Sequence, residues 1–107
     1  MAVRSYLDAH RAGVSMWIDM LHVPAAKRGL GVGRKIYANW EARLPKDIEL
    51  VRVFAADTEG LGNSDGFWQS LGFSYRYAGG LDELSYEAAH TLVKGVNGHP
   101  TPKPIRS

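Results

Sequence analysis

The sequence predicts an α/β (α+β) domain in which helices cover a mixed, mainly antiparallel sheet, and three observations predict it. Apolar residues crowd both faces of Val14 to Val23 and of Ile48 to Ala56, as in strands buried on two sides. Between them Val32, Ile36, Tyr37, Trp40 and Leu44 recur at helical spacing. Short strand-like runs, broken at Gly79-Gly80, then lead to Val96, with no internal repeat.

The chain has 107 residues, enough for one domain that buries roughly two-thirds of its unfolded surface. With 45% hydrophobic and 22% charged residues it has the make-up of an ordinary globular domain. A net charge of +2, with basic residues dispersed and no basic run interleaved with aromatics, argues against nucleic acid as a partner. The same mild basicity, with a pI near 9.0, suits a polyanionic small ligand. The absence of cysteine removes disulfides, a thiolate nucleophile and cysteine-based zinc sites, so chemistry must use oxygen and nitrogen groups. No apolar run approaches the roughly twenty residues that span a bilayer, and the start of the chain lacks a signal-peptide apolar region. A cytoplasmic setting without a membrane partner is the expectation.

Val3 to Arg11 reads as a first strand and Ala12-Gly13 as a tight turn. In Val14 to Val23 a regular strand would put Trp17, Asp19, Leu21 and Val23 on one face and Ile18, Met20 and His22 on the other. Pro24 ends it. A helix follows from Leu30 to Leu44, stopped by Pro45. After the valine-rich strand Ile48 to Ala56 come a loop, Asp57 to Asn63, and a short helix to Leu71. Asn63 or Ser64 would be its N-cap and Gly72 its C′ residue. Phe73 to Tyr77 is a strand, Leu81 to Ala89 a loop or one helical turn, and Ala89 to Val96 a last strand. Residues 1–96 thus form a single domain, and 97–107, with Pro100, Pro102 and Pro104 at alternate positions, an extended, poorly packed tail. Trp17 and Trp40 are most simply core residues.

The stretch from Val23 to Arg34 joins a strand to a helix through three glycines, Gly29, Gly31 and Gly33. The first N–H groups of a helix lack intrahelical partners and sit at the positive end of its dipole, so this is an anion site in outline. Glycines let a phosphate approach the backbone, and Arg28, Arg34 and Lys35 add charge at the same mouth. The P-loop pattern fails because Gly33 is followed by Arg34 and Lys35, and the glycine spacing fails the dinucleotide fingerprint.

The order Arg-x-x-Gly-x-Gly, met by Arg28, Gly31 and Gly33 after Leu-His-Val-Pro, resembles the acyl-CoA loop of the GNAT N-acetyltransferase superfamily. Gly66 to Phe73, Gly-Phe-Trp-Gln-Ser-Leu-Gly-Phe, is similar to that family's late helix and following strand. The resemblance covers roughly Ser15 to Tyr77 and implies a minimal acyl-CoA acyltransferase fold, with acetyl-CoA as the acyl donor and direct transfer to an amine. In the family the strand before the loop splays from its neighbour and its backbone bonds the pantetheine arm, which falls here on Leu21, His22 and Val23. The pyrophosphate would sit on Arg28, Gly29, Leu30, Gly31, Val32, Gly33 and Arg34. Asn63 would bond the pantetheine or cap the short helix.

Such a transfer must remove a proton from the acceptor's ammonium group. At pH 7 a lysine-like amine is less than one part in a thousand neutral, a deficit of roughly 4 kcal/mol. Asp19 stands where many relatives carry an acidic residue, which makes it the first candidate for base; pairing with Arg4 or Arg11 on the next strand is the structural alternative. His22 is the second candidate, since imidazole is the side chain suited to proton transfer near neutral pH, with a half-buried core or surface residue as the structural alternative. Glu59 and Asp65 are further carboxylate candidates. Many relatives place a tyrosine at the position of Trp68, to protonate the departing thiolate, and an indole does not serve. Tyr75, Tyr77 or Ser64 could replace it, leaving Trp68 to pack beneath the cofactor. Relatives also wall the acceptor side with a strand and two helices ahead of the central strand, which the short segment before Val14 does not supply. That leaves an open face, suited to a lysine or N-terminus on a protein, or to a homodimer whose second subunit completes the wall. A CoA-binding or protein-binding module with little catalysis is the competing expectation.

Overall fold

A computed structural model describes residues 6–24, 30–55, 65–77 and 85–105, apart from the side chains of Tyr86 and Glu87. Strands β1 (Tyr6–Ala12) and β2 (Ser15–His22) form a hairpin about Gly13, whose φ of 63° suits a residue without a side chain. Helix α1 (Val32–Ala42) carries the chain to β3 (Leu50–Phe54), which lies parallel to β2, the connection that a parallel pair requires. Helix α2 (Asp65–Ser70), β4 (Ser74–Tyr75), the single turn α3 (Tyr86–Ala89) and β5 (Thr91–Gly95) complete the order. The sheet runs β1-β2-β3-β5-β4, antiparallel except for β2 with β3, so the last strand is inserted between β3 and β4. The mixed α+β class and mainly antiparallel sheet are as the sequence predicts.

The core lies between the sheet and the two longer helices. Ile18, Val51, Val53 and Leu92 from the strands meet Tyr37 of α1 and Trp68 of α2, with Ile48, Phe73 and Val96 closing the ends. Tyr37, Trp68 and Phe73 form an edge-to-face triangle with centroids 5.4–6.0 Å apart, the geometry that aromatic quadrupoles favour. The Tyr37 hydroxyl donates to Glu41 at 2.8 Å, and Lys94 bonds the same carboxylate at 2.7 Å while lying over the Tyr37 ring. Helix α2 ends as its sequence predicts. Gly72, at φ 100°, occupies C′, with Phe73 N–H bonding Trp68 O and Gly72 N–H bonding Gln69 O.

Three local expectations change. First, β2 is not regular: Ala9 opposes Ile18 but Asp8 opposes Met20, so Asp19 is the extra residue of a β-bulge. An unbroken register would have set Asp8 opposite Asp19, a like-charge pair that the bulge avoids. Beyond it Leu21 joins Ile18 on the helix side and packs on the core, so Leu21 does not share a face with Trp17 and Asp19. Second, Trp17 is not a core residue; it lies half-buried on the opposite face beneath the Arg52 guanidinium, 5.8 Å from the ring centroid. Trp40 does pack against the core. Third, residues 97–105 turn at Asn97 and Gly98 and are docked. The Asn97 side-chain amide donates to Pro45 O and Ile48 O, Gly95 N–H donates to Thr101 Oγ1, and Ile105 forms a parallel bridge with Tyr77. The bare α-carbon of Gly95 permits this path, because a Cβ there would collide with the backbone of His99 and Pro100. Among the described residues no helix is long and apolar enough to cross a membrane.

Candidate functional site

The parallel ladder between β2 and β3 runs from Ser15–Leu50 to Ile18–Val53 and stops there. β2 continues through Asp19 to His22, paired on its other side with β1. Past Ile18 the two parallel strands are no longer paired, and β2 runs on through Leu21 and His22. Leu21 rests on the core, and His22 stacks against Tyr6 with ring centroids 5.4 Å apart. The His22 Nε2 atom is buried with no hydrogen-bond partner among the described residues.

Helix α1 follows β2 in the chain. Its N-cap is Gly31, at φ 75° and ψ 13°, with no side chain capping the first turn and no acidic residue in it. Among the described residues no side chain caps the orphan N–H groups of this first turn. Leu30 is 69% exposed and Val32 is half-buried. The two described glycines do different work. A Cβ on Gly31 would meet open space, whereas one on Gly33 would lie 3.3 Å from Phe67 Cζ and 3.5 Å from Val23 Cγ2. Gly33 therefore sets how closely α1 approaches α2 and the end of β2. Arg34 reaches away from the turn, with Nη2 donating to Ser70 Oγ at 2.9 Å, so its charge lies at the C-terminal end of α2. Arg28, Gly29 and Asn63 lie outside the described residues, as do Arg4, Glu59 and Ser64.

Asp19 is exposed, and both its carboxylate oxygens stand 2.8 Å from His10 Nδ1 on β1. Its partner is this histidine and not Arg11, which pairs with Asp47. Nothing in the sequence pairs His10 with Asp19, because the contact depends on the bulge.

Tyr75 lies on the other face. Its hydroxyl donates to Asp65 Oδ2, and His90 Nδ1 stands 3.4 Å from the same oxygen. Asp65 opens α2 and is 7% exposed. The bond to Asp65 is the main reason the Tyr75 phenol is pushed up to about 12, with desolvation adding to it. That makes Tyr75 a firm hydrogen-bond donor and a poor acid. His90 escaped the sequence reading; it comes into place because β5 is inserted next to β3, where Ala55 N–H bonds His90 O. Trp68, 4% exposed, is held edge-on against Tyr37, Phe67 and Phe73 and serves as a packing residue.

The structure thus brings Leu21, His22, Val23, Gly31 and Gly33 around one strand-to-helix junction, and sets Asp19 and Tyr75 on opposite faces of the sheet. Comparison with family models, with curated proteins and with solved structures finds no match.

Proposed function

We propose that this protein is an acetyl-CoA-dependent N-acetyltransferase that transfers the acetyl group directly to an amine, as the resemblance to the GNAT superfamily implies. The observation that carries the reading is the parallel pair β2/β3, whose ladder ends at Ile18–Val53 just where β2 runs on to an uncapped helix N-terminus. The unpaired end of β2 and that helix start are where the resemblance would set the pantetheine arm and the diphosphate. The backbone of Leu21, His22 and Val23 would hold the arm, and the first N–H groups of α1 the phosphates. The donor supplies a thioester, an acetyl group already activated for attack. Asp19, with His10 behind it, is the group on the exposed face able to take the acceptor's proton, directly or through water. A cytoplasmic setting, and an acceptor amine on a protein, belong to the same proposal.

A second reading is favoured by the Tyr75–Asp65 bond and the burial of Trp68, which commit these two side chains elsewhere than at the departing thiolate. On that reading the domain binds CoA, or a protein, with little turnover. One experiment separates them: calorimetric titration with CoA, alongside thiol release from acetyl-CoA in the presence of mixed peptide amines. Binding with release supports the transferase, binding without release supports the module, and absence of binding rejects both CoA readings.

A further inference from the structure

On the sheet face that the helices cover, an open trough of about 390 Å³ lies between α1 and the β1/β2 hairpin. Its floor comes from Leu7 of β1 and Met16 of β2, and its wall from Ile36 and Trp40 of α1 and Leu44 just past the last turn. The three wall residues stand four apart and form one ridge, roughly 12 Å long, on a single flank of the helix. All five are half-buried, so each still presents apolar surface to the trough. β1 is the end strand of the sheet formed by the described residues, and the trough lies where α1 overhangs it.

The same flank of α1 is positive. Asn39 and Arg43 line the trough, and Lys35 continues their row one turn earlier; all three are exposed. The acidic residue of α1, Glu41, is turned the other way, toward Tyr37 and Lys94. At the hairpin end Asp47 is held by Arg11, and that pair adds no net charge. An apolar ridge edged by a cationic row is the complement of an amphipathic helix with apolar residues on one face and carboxylates along its margin. Two turns of such a helix match the ridge in length. A small ligand suits the trough less well, because it lies open along one side, whereas small-molecule sites enclose most of their ligand. A second copy also suits it less well, since a two-fold contact through this flank would set the row of Lys35 and Arg43 against its own kind.

We infer that this trough docks an acidic amphipathic helix of a partner protein, with apolar side chains one turn apart seated on Leu7, Met16 and Ile36 and carboxylates facing Arg43 and Lys35. The docking uses none of the residues assigned to CoA or to proton removal, so it stands apart from the acetyltransferase reading.

The test is calorimetric titration of the full chain with a synthetic helical peptide that carries leucines along one face and glutamates beside them. Three further probes accompany it: an isomer with the leucines scattered, the same peptide with Gln for Glu, and octanoate. The parent peptide should bind, with affinity falling as salt rises. The scattered isomer should bind about tenfold or more weakly, and the Gln peptide about fivefold more weakly with little salt dependence left. Ile36→Gln should weaken the parent peptide about tenfold. Arg43→Glu combined with Lys35→Glu should weaken the glutamate peptide and strengthen one with Lys for Glu, a reversal that unfolding does not produce. No binding of the parent peptide, equal binding of the scattered isomer, tighter binding of octanoate, dimers that occupy the trough, or no reversal in the charge-swapped chain would each overturn the inference; the first four need no variant. Thiol release from acetyl-CoA reads the other proposal: its absence leaves the docking intact, and loss of peptide binding leaves the transferase intact.

Discussion

The Tyr75 hydroxyl donates to the Asp65 carboxylate, tying the start of α2 to β4. Because this bond favours the protonated phenol, Tyr75 ionises later than an ordinary tyrosine, at about 12. The sign follows directly. A pKa raised by folding stabilises the folded state below the ordinary tyrosine value near 10, and that contribution is lost as pH rises through about 12. Asp65→Asn should move one late-titrating phenol toward the ordinary value in an ultraviolet pH titration, and Tyr75→Phe should remove it. An unchanged titration in both variants would mean the bond does not form in solution.

Gly33 and Gly31 should separate packing from binding. Gly33→Val pushes side-chain atoms into Phe67 and Val23, and should cost about 1–3 kcal/mol in urea unfolding. Gly31→Val meets open space and carries only the strain of a positive φ, about 1–2 kcal/mol. On the acetyltransferase reading Gly31→Val should nevertheless abolish CoA binding in calorimetry with the fold retained; full affinity in that variant would remove the turn from the site.

Asn97 has φ 54° and donates from one side-chain nitrogen to both Pro45 O and Ile48 O. Asn97→Ala loses the bonds and keeps the unfavourable backbone, and should destabilise by about 1–3 kcal/mol. Asn97→Gly relieves the backbone and should cost less. Equal losses by urea midpoint would show that the bonds alone matter.

Asp19→Asn should lower the acetyl-transfer rate at neutral pH about 10²-fold or more, and less at alkaline pH, where the acceptor amine deprotonates unaided. His10→Ala should give a smaller loss of the same shape, since His10 touches only Asp19 in this pair. A pH-rate profile that neither variant alters would exclude the pair from proton removal.

Periodicity made α1 and the strands legible because their apolar spacing is local: Val32, Ile36, Tyr37 and Trp40 repeat within one element. It could not show the bulge, although Asp19 stood out as a carboxylate in an apolar strand. The cause lies across the hairpin, in the clash with Asp8 that a regular register would impose. The pairing of His10 with Asp19, and the meeting of His90 with Asp65 and Tyr75, are invisible for the same reason: each depends on which strands become neighbours. The tail shows the limit from the other side. Alternating prolines speak only to the local path of the backbone, and its docking depends on Gly95, whose lack of a side chain is meaningful only once Pro100 lies against it.

The insertion of β5 between β3 and β4 has a consequence for biosynthesis. A chain still emerging from the ribosome has β3 and β4 available but nothing to join them, since each of these strands pairs with Thr91–Gly95 and not with the other. The nascent protein must carry unsatisfied strand edges until Thr91–Gly95 has emerged, so the sheet closes only once β5 is made and the growing chain is open to chaperone capture until then.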